Sequence, residues 1–142
     1  MLFLLVKGYC ASELHQKLNK GNLDVLDEYY ASDFVIHQPP FPDIRGLAVF
    51  KRFQANMRTS FPDVQWTIDE LIIEGDKGVA RFTLRGTNTG QSKFFPFPPT
   101  GKQVTWSFCV VSRMAGGKII ESWSYADNLG LMQQLGIIPP MG

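Results

Sequence analysis

The period of the apolar pattern changes near Pro62, and this change constrains the fold more than any other feature of the sequence. After Gly46, apolar residues recur three and four positions apart, at Leu47, Phe50, Phe53, Met57 and Phe61. This spacing predicts a helix, and Pro62 should end it because proline disfavours the helical conformation in the residue before it. Beyond Pro62, apolar and polar residues alternate, which predicts strands. The sequence therefore predicts a helical first half and a strand-rich second half.

Two more helices are expected in the first half. Residues 2–19 should form one helix ended by Gly21, and Asn22 should cap a short second helix. Residues 33–37 read as a short extended segment. Residues 38–45 contain three prolines and are predicted to be a loop.

Four strands are expected in the second half, starting at residues 64, 79, 103 and 118. The alternation slips at Glu70 and Leu71, which indicates a bulge. Residues 74–78 and 116–117 are predicted turns, residues 91–102 a long connection, and residues 128–135 a terminal helix. We expect one domain over residues 1–142, of α+β class, with a cone-shaped, curved, largely antiparallel sheet closed by the N-terminal helices. The mouth of such a cone is a natural ligand pocket.

Charge and motifs exclude several classes of function. Lys and Arg number 14 against 13 Asp and Glu, so the net charge of +1 lacks the basic excess of a nucleic-acid-binding protein. No apolar stretch is long enough for a membrane span. Cys10 and Cys109 have no metal-ligand spacing, and free thiols favour the cytoplasm. His15 and His37 are too few for a metal site, and phosphate-binding and nucleophile motifs are absent. Acid/base chemistry in an apolar cavity, or simple binding, remains.

The last predicted strand is the most informative segment. Period two places five residues on one face: Ile119, Glu121, Trp123, Tyr125 and Asp127. A carboxylate among aromatic rings loses solvation, so its pKa rises towards the range useful for a general acid or base. The structural alternative is that Glu121 pairs with an arginine and Asp127 caps the terminal helix.

Other candidates lie on the neighbouring strand and in loops. Phe82 and Leu84 share a face with Asn88, whose amide is either a structural bridge or a hydrogen-bonding group for substrate. His37 precedes the proline-rich loop and is either structural or part of a site. The connection contains Phe94, Phe95 and Phe97 and is either a pocket lid or a dimer contact.

Six pieces of the chain, taken in order, resemble the SnoaL-like polyketide cyclase family of the nuclear transport factor two-like superfamily. They are SFPD at 60–63, EGD at 74–76, RGTNTG at 85–90, PPTGK at 98–102, GKIIESW at 117–123 and DNLGLMQQLG at 127–136. The resemblance implies an α+β barrel around a deep hydrophobic cavity. It also implies an intramolecular aldol ring closure on a polyketide ester without metal or cofactor. The family's acid/base Asp, in a W-x-x-x-D segment, falls on Asp127, and its early His falls on His37.

One position departs from the family pattern, because Asn88 stands where G-T-H-x-G has its histidine, and asparagine cannot carry a proton. We therefore expect a cofactor-independent enzyme for an apolar carbonyl compound, in which Asp127 removes a proton and Asn88 or His37 holds the enolate oxygen. The alternatives are a ketosteroid-isomerase-like proton transfer and a non-catalytic binding module. The second sheet face is also partly apolar, at Cys109 and Val111, which predicts a homodimer.

Overall fold

A six-stranded sheet forms the framework of the protein, and the computed structural model describes residues 16–93 and 96–141. The strands are β1 (Tyr30–Gln38), β2 (Phe41–Arg45), β3 (Gln65–Glu74), β4 (Lys77–Thr87), β5 (Gln103–Ala115) and β6 (Lys118–Ala126). The helices are a 3-10 helix (Leu23–Glu28), α1 (Leu47–Ser60) and α2 (Asn128–Gln134). Residues 16–19 are helical, and the rest of the predicted first helix lies outside the described residues.

The strand order is β2-β1-β6-β5-β4-β3. Only the β1–β6 pair is parallel, and the other four pairs are antiparallel. The sheet is curved and does not close on itself, and the helices complete the fold. The α+β prediction is confirmed. No helix among the described residues is long and apolar enough to cross a membrane.

Helix α1 packs against β1 and β2 of the sheet through the apolar residues of its sequence pattern. Its residues Leu47, Phe50 and Met57 are buried, and it ends at Ser60, two residues before Pro62. Phe50 packs with Phe34 of β1, their ring centroids 5.2 Å apart. The apolar stripe therefore holds α1 against the sheet.

The strands of the second half follow the alternating pattern closely. Ile68 pairs with Phe82 and Glu70 with Arg81, so Asp69 is the extra residue of a bulge, one position before the slip seen in the sequence. The turn at Gly116 and Gly117 has φ values of 57° and 79°, which glycine adopts without strain. The predicted hairpin turns are confirmed.

Two local predictions are wrong. Residues 41–45, predicted to be part of a loop, form β2, which pairs with β1 through Ile44 and Ile36. A proline is tolerated in β2 because this strand is at the sheet edge, where one side needs no hydrogen-bond donors. The second helix is a 3-10 helix, and Asn22 makes no side-chain capping bond to it.

Candidate active site

A cavity of about 530 Å³ lies between α1 and one face of the sheet. This volume is within the range of about 300–1,000 Å³ that small-molecule sites occupy. Its wall is mainly apolar and includes many aromatic rings, among them those of Phe34, Phe50, Phe53, Trp66, Phe82, Trp106 and Phe108. Such a wall favours a flat, apolar ring compound.

Strand β6 contributes small side chains to the cavity. Ser122, Ser124 and Ala126 line it, and the Ser122 hydroxyl is 2.7 Å from the Ser112 hydroxyl of β5. Opposite the large rings of the other strands, these small residues leave the space that a ligand can fill.

The prediction that Glu121, Trp123 and Tyr125 face the cavity is wrong. Ile119 does line it, but Ile119 pairs with Met114 and Glu121 pairs with Arg113, so β6 has one extra residue between them. This bulge reverses the alternation after Ile119 and turns the next three odd-numbered residues to the outer face. Tyr125 is accordingly 57% exposed.

The cavity meets solvent where its lining residues are exposed. These are mostly in the β1–β2 hairpin and the start of α1: Pro39, Phe41, Pro42, Asp43, Val49 and Arg52. Among the lining residues of the described chain, Asp43 carries the only carboxylate. The sequence reading missed it because it lay in the proline-rich segment predicted to be a loop. Reading residues 37–43 as a hairpin would have placed Asp43 beside His37.

His37 connects Asp43 to charged groups on the outer face. Its Nδ1 lies 3.0 Å from Asp43 Oδ1, and its Nε2 lies 2.8 Å from Glu121 Oε2. The other Glu121 oxygen accepts from Arg113 at 3.0 Å, and the Trp123 ring stacks on the imidazole at 5.6 Å. We call Asp43, His37, Glu121 and Arg113 the outer-face network.

The outer-face network favours the charged forms of His37 and Glu121. The hydrogen bonds that His37 donates, to Glu121 first and then to Asp43, raise the pKa of His37 above its ordinary value. The hydrogen bonds from His37 and then Arg113 lower the pKa of Glu121. An imidazolium can donate to both carboxylates at once, which holds the Asp43 side chain at the cavity mouth.

Asp127 and Asn88 have structural contacts. Asp127 is exposed, is not in the cavity lining, and caps α2 by accepting from the Gly130 N–H at 2.9 Å. The prediction that it shares the aromatic cavity face is therefore wrong. Asn88 is buried, also outside the lining, and its amide accepts from the Thr100 N–H at 2.9 Å and donates to the Ser60 carbonyl at 3.2 Å. Asn88 thus ties the long connection to the end of α1.

Of the two apolar candidates, Phe82 lines the cavity, whereas Leu84 is fully buried in the core beside Phe61 and Val104. Leu84 therefore shapes the cavity only through packing. Phe94 and Phe95 lie outside the described residues. The prediction that they form a pocket lid or a dimer contact therefore stays a prediction.

Three further lining residues were not expected from the sequence. Burial raises the pKa of Tyr30 to about 12, so its hydroxyl keeps its proton at neutral pH. Trp106 Nε1 and Asn128 Oδ1 are buried without a hydrogen-bond partner in the described chain. Asn128 directly follows Asp127, which the sequence analysis favoured as the acid/base residue.

Within residues 16–93 and 96–141, no cluster of three or more His, Cys, Asp or Glu could hold a metal ion.

Comparison with known proteins identifies the family. A SnoaL-like polyketide cyclase family model matches residues 10–135. The chain belongs to this family. The structure also resembles that of IdmH, a proposed polyketide cyclase from Streptomyces antibioticus, with TM-score 0.73 and 30% identity over 87% of this chain and 93% of that one.

Two more solved structures share the fold. TsrD from Streptomyces laurentii has TM-score 0.78 and 25% identity over 89% of this chain and 92% of that one. AclR, a proposed hydroxylase from Streptomyces galilaeus, has TM-score 0.78 and 24% identity over 92% and 80% of the two chains. A sequence comparison with curated proteins gives no match. The family supports a small-molecule reaction of cyclase or isomerase type.

Proposed function

We propose that this protein is a cofactor-independent acid/base enzyme that binds an apolar carbonyl compound in its cavity and closes a ring on it in the manner of a polyketide cyclase. The observation that carries the proposal is Asp43, the single carboxylate among the described lining residues, at the mouth of an apolar cavity of about 530 Å³. The cavity supplies affinity for rings, and Asp43 supplies a proton acceptor within reach of a bound carbon acid. Its proposed setting is the cytoplasm.

In the proposed step, Asp43 removes a proton from the carbon next to a carbonyl, and the C–H electron pair becomes the enolate. The Gln38 amide, which lines the same mouth, donates to the enolate oxygen. The enolate carbon then attacks a second carbonyl of the same molecule, forming the C–C bond, and the new alkoxide takes the proton back from Asp43. His37 is a positioning residue in this scheme, since its Nδ1 hydrogen bond fixes the carboxylate.

The test is proton exchange on a simple ketone. The α-protons of 2-tetralone in D₂O are followed by NMR with wild type and with Asp43→Asn, after subtraction of the buffer rate. Loss of a positioned base should slow the exchange by about 10²- to 10⁴-fold. Asp33→Asn is the matched control, because Asp33 is an exposed carboxylate of β1 outside the cavity lining. Near-normal exchange by Asp43→Asn would contradict the assignment.

The same experiment separates an acid/base enzyme of either kind from a non-catalytic binding module. A ketosteroid-isomerase-like reaction would use the same base but return the proton to another carbon of the substrate, without ring closure. A binding module needs only the cavity. If 2-tetralone binds to the wild-type protein but the α-protons of 2-tetralone do not exchange, the protein is better described as a non-catalytic binding module.

We also propose that the outer face of the sheet meets a second copy of the chain. Cys109 and Tyr125 pair directly across β5 and β6, and both are exposed. Sedimentation should give a dimer for wild type and a monomer for Tyr125→Glu. Leu129→Glu, at a 46% exposed position in α2, is the control and should stay dimeric. A monomeric wild type at micromolar concentration would refute this part of the proposal.

A further inference from the structure

Two buried polar atoms in the cavity wall have no hydrogen-bond partner in the described chain. They are Nε1 of Trp106, whose side chain is in the core of the fold and is 5% exposed, and Oδ1 of Asn128, the first residue of α2. Buried polar atoms are nearly always hydrogen-bonded, and an unpaired one destabilises the fold. Both residues line the cavity, so their side chains lie beside the space that a ligand would fill.

The two residues lie at the same end of the β5–β6 pair. Phe108 pairs with Ala126, and the Asp127 N–H donates to the Ser107 carbonyl at 3.0 Å, one residue beyond β6. Trp106 comes directly before Ser107, and Asn128 comes directly after Asp127, where α2 begins. The register therefore places a residue with a donor and a residue with an acceptor at the same end of the cavity wall.

We propose that Trp106 and Asn128 form a polar subsite that binds a hydroxyl group on an otherwise apolar ring compound. The indole N–H can only donate, and the Asn128 oxygen can only accept. A phenolic or enolic hydroxyl meets both needs, because its oxygen accepts from Trp106 while its O–H donates to Asn128. A ketone or an ether satisfies Trp106 alone, and a hydrocarbon satisfies neither. This inference rests on the proposed function, since it needs the cavity to bind an apolar ring compound.

The subsite is distinct from the proposed base. Asp43 lies in β2 at the cavity mouth, whereas the subsite lies between β5 and the start of α2. Binding at the subsite can therefore be measured without any reaction.

The first test compares three probes of similar shape by calorimetry: 2-naphthol, 2-methoxynaphthalene and 2-methylnaphthalene. For each protein, the affinities of the two oxygen-bearing probes are expressed relative to that of the hydrocarbon. Trp106→Phe, which keeps a ring but removes the N–H, should reduce the relative affinity for 2-naphthol by about five- to ten-fold, the effect of one net hydrogen bond. Asn128→Leu should reduce it for 2-naphthol and leave it unchanged for 2-methoxynaphthalene. Trp66→Phe is the matched control, since it removes an indole N–H elsewhere in the cavity lining.

The second test reads the indole N–H directly. ¹⁵N NMR resolves one indole signal for each of the 3 tryptophans, assigned with the Trp→Phe variants. The Trp106 signal should move downfield with saturating 2-naphthol and much less with 2-methylnaphthalene. This measurement uses the wild-type protein, so it holds even if a variant is destabilised.

The outcomes separate the two proposals. Binding of all three probes with the same relative affinities in wild type and Trp106→Phe, and equal shifts of the Trp106 signal, would overturn the subsite and leave the apolar cavity in place. Failure of every probe to bind would overturn the proposed function together with the subsite.

Discussion

The two faces of β6 carry different kinds of side chain. The cavity face has Ser122, Ser124 and Ala126, which are small and bear few polar groups. The outer face has Glu121 and Trp123, which contact His37, and the exposed Tyr125. On this strand, the face that lines the cavity carries small residues that suggest no function in the sequence. The aromatic rings of Trp123 and Tyr125, which the sequence analysis assigned to the cavity, lie on the outer face.

Asp43 and His37 connect the cavity to the outer face of the sheet. Asp43 lines the cavity and is hydrogen-bonded to His37, which in turn contacts Glu121 on the outer face. Charge on the outer face can therefore influence a carboxylate at the cavity mouth. Substitutions on β6 can perturb one face at a time.

The largest effect is expected from filling the cavity. Ser124→Leu adds three carbon atoms to a buried position in the lining, so a ligand must be displaced or the wall must move. Overpacking of this kind costs about 1–3 kcal/mol, which corresponds to a loss of about 5- to 150-fold in affinity for 2-methylnaphthalene measured by calorimetry. Tyr125→Leu changes the next residue, on the outer face, and should leave the affinity unchanged. Equal losses in the two variants would mean that the faces are wrongly assigned.

An intermediate effect is expected from uncoupling the outer-face network. Glu121→Gln removes the contact that contributes most to raising the pKa of His37, so that pKa should fall towards its ordinary value of 6.5. The titration of the imidazole C–H protons by NMR measures this, with the His15 signal identified by substitution. Glu70→Gln, which removes a charge near Arg81, is the control and should not change the titration.

The same variant predicts a pH window for stability. The pKa of folded His37 is raised, so its stabilising contribution is complete below the ordinary value of 6.5 and is lost as the pH rises through the folded pKa. The pKa of folded Glu121 is lowered, so its contribution is complete above the ordinary value of 4.5 and is lost as the pH falls through the folded pKa. The difference in free energy of unfolding between wild type and Glu121→Gln should therefore be greatest between these values. A difference independent of pH would contradict the role of charge in the network.

Local pattern was enough to predict much of the fold. Helix α1, the bulge in β3 and the turn at Gly116 depend on neighbours along the chain, and a single sequence contains that information. Strand β2 was missed because Pro42 excludes a central strand but not an edge strand. Only the order of strands in the sheet decides between these cases.

The site was predicted less well because its geometry depends on contacts between distant segments. The alternation in β6 was correct, but the bulge after Ile119 exists only relative to β5, so the sequence could not show which face is inside. The buried amide of Asn88 was recognised, yet its partners Thr100 and Ser60 come from other elements. A hairpin over residues 37–43 could have been predicted locally and would have paired Asp43 with His37, but the cavity that Asp43 lines is built from distant segments.

The smallest effect is expected at Asp127, whose carboxylate caps α2 through the Gly130 N–H. Asp127→Ala should lower the free energy of unfolding by about 1 kcal/mol, or about 3–5 °C in melting temperature for a domain of this size. Asp127→Asn should change it little, because asparagine caps helices about as well as aspartate. Neither variant should slow the exchange of 2-tetralone protons, since the side chain is exposed and outside the cavity lining. If Asp127→Asn instead slows this exchange about 10²-fold or more at an unchanged melting temperature, the acid/base role belongs to Asp127 rather than Asp43. The two Asp→Asn variants, measured side by side, thus decide which end of the sheet carries the chemistry.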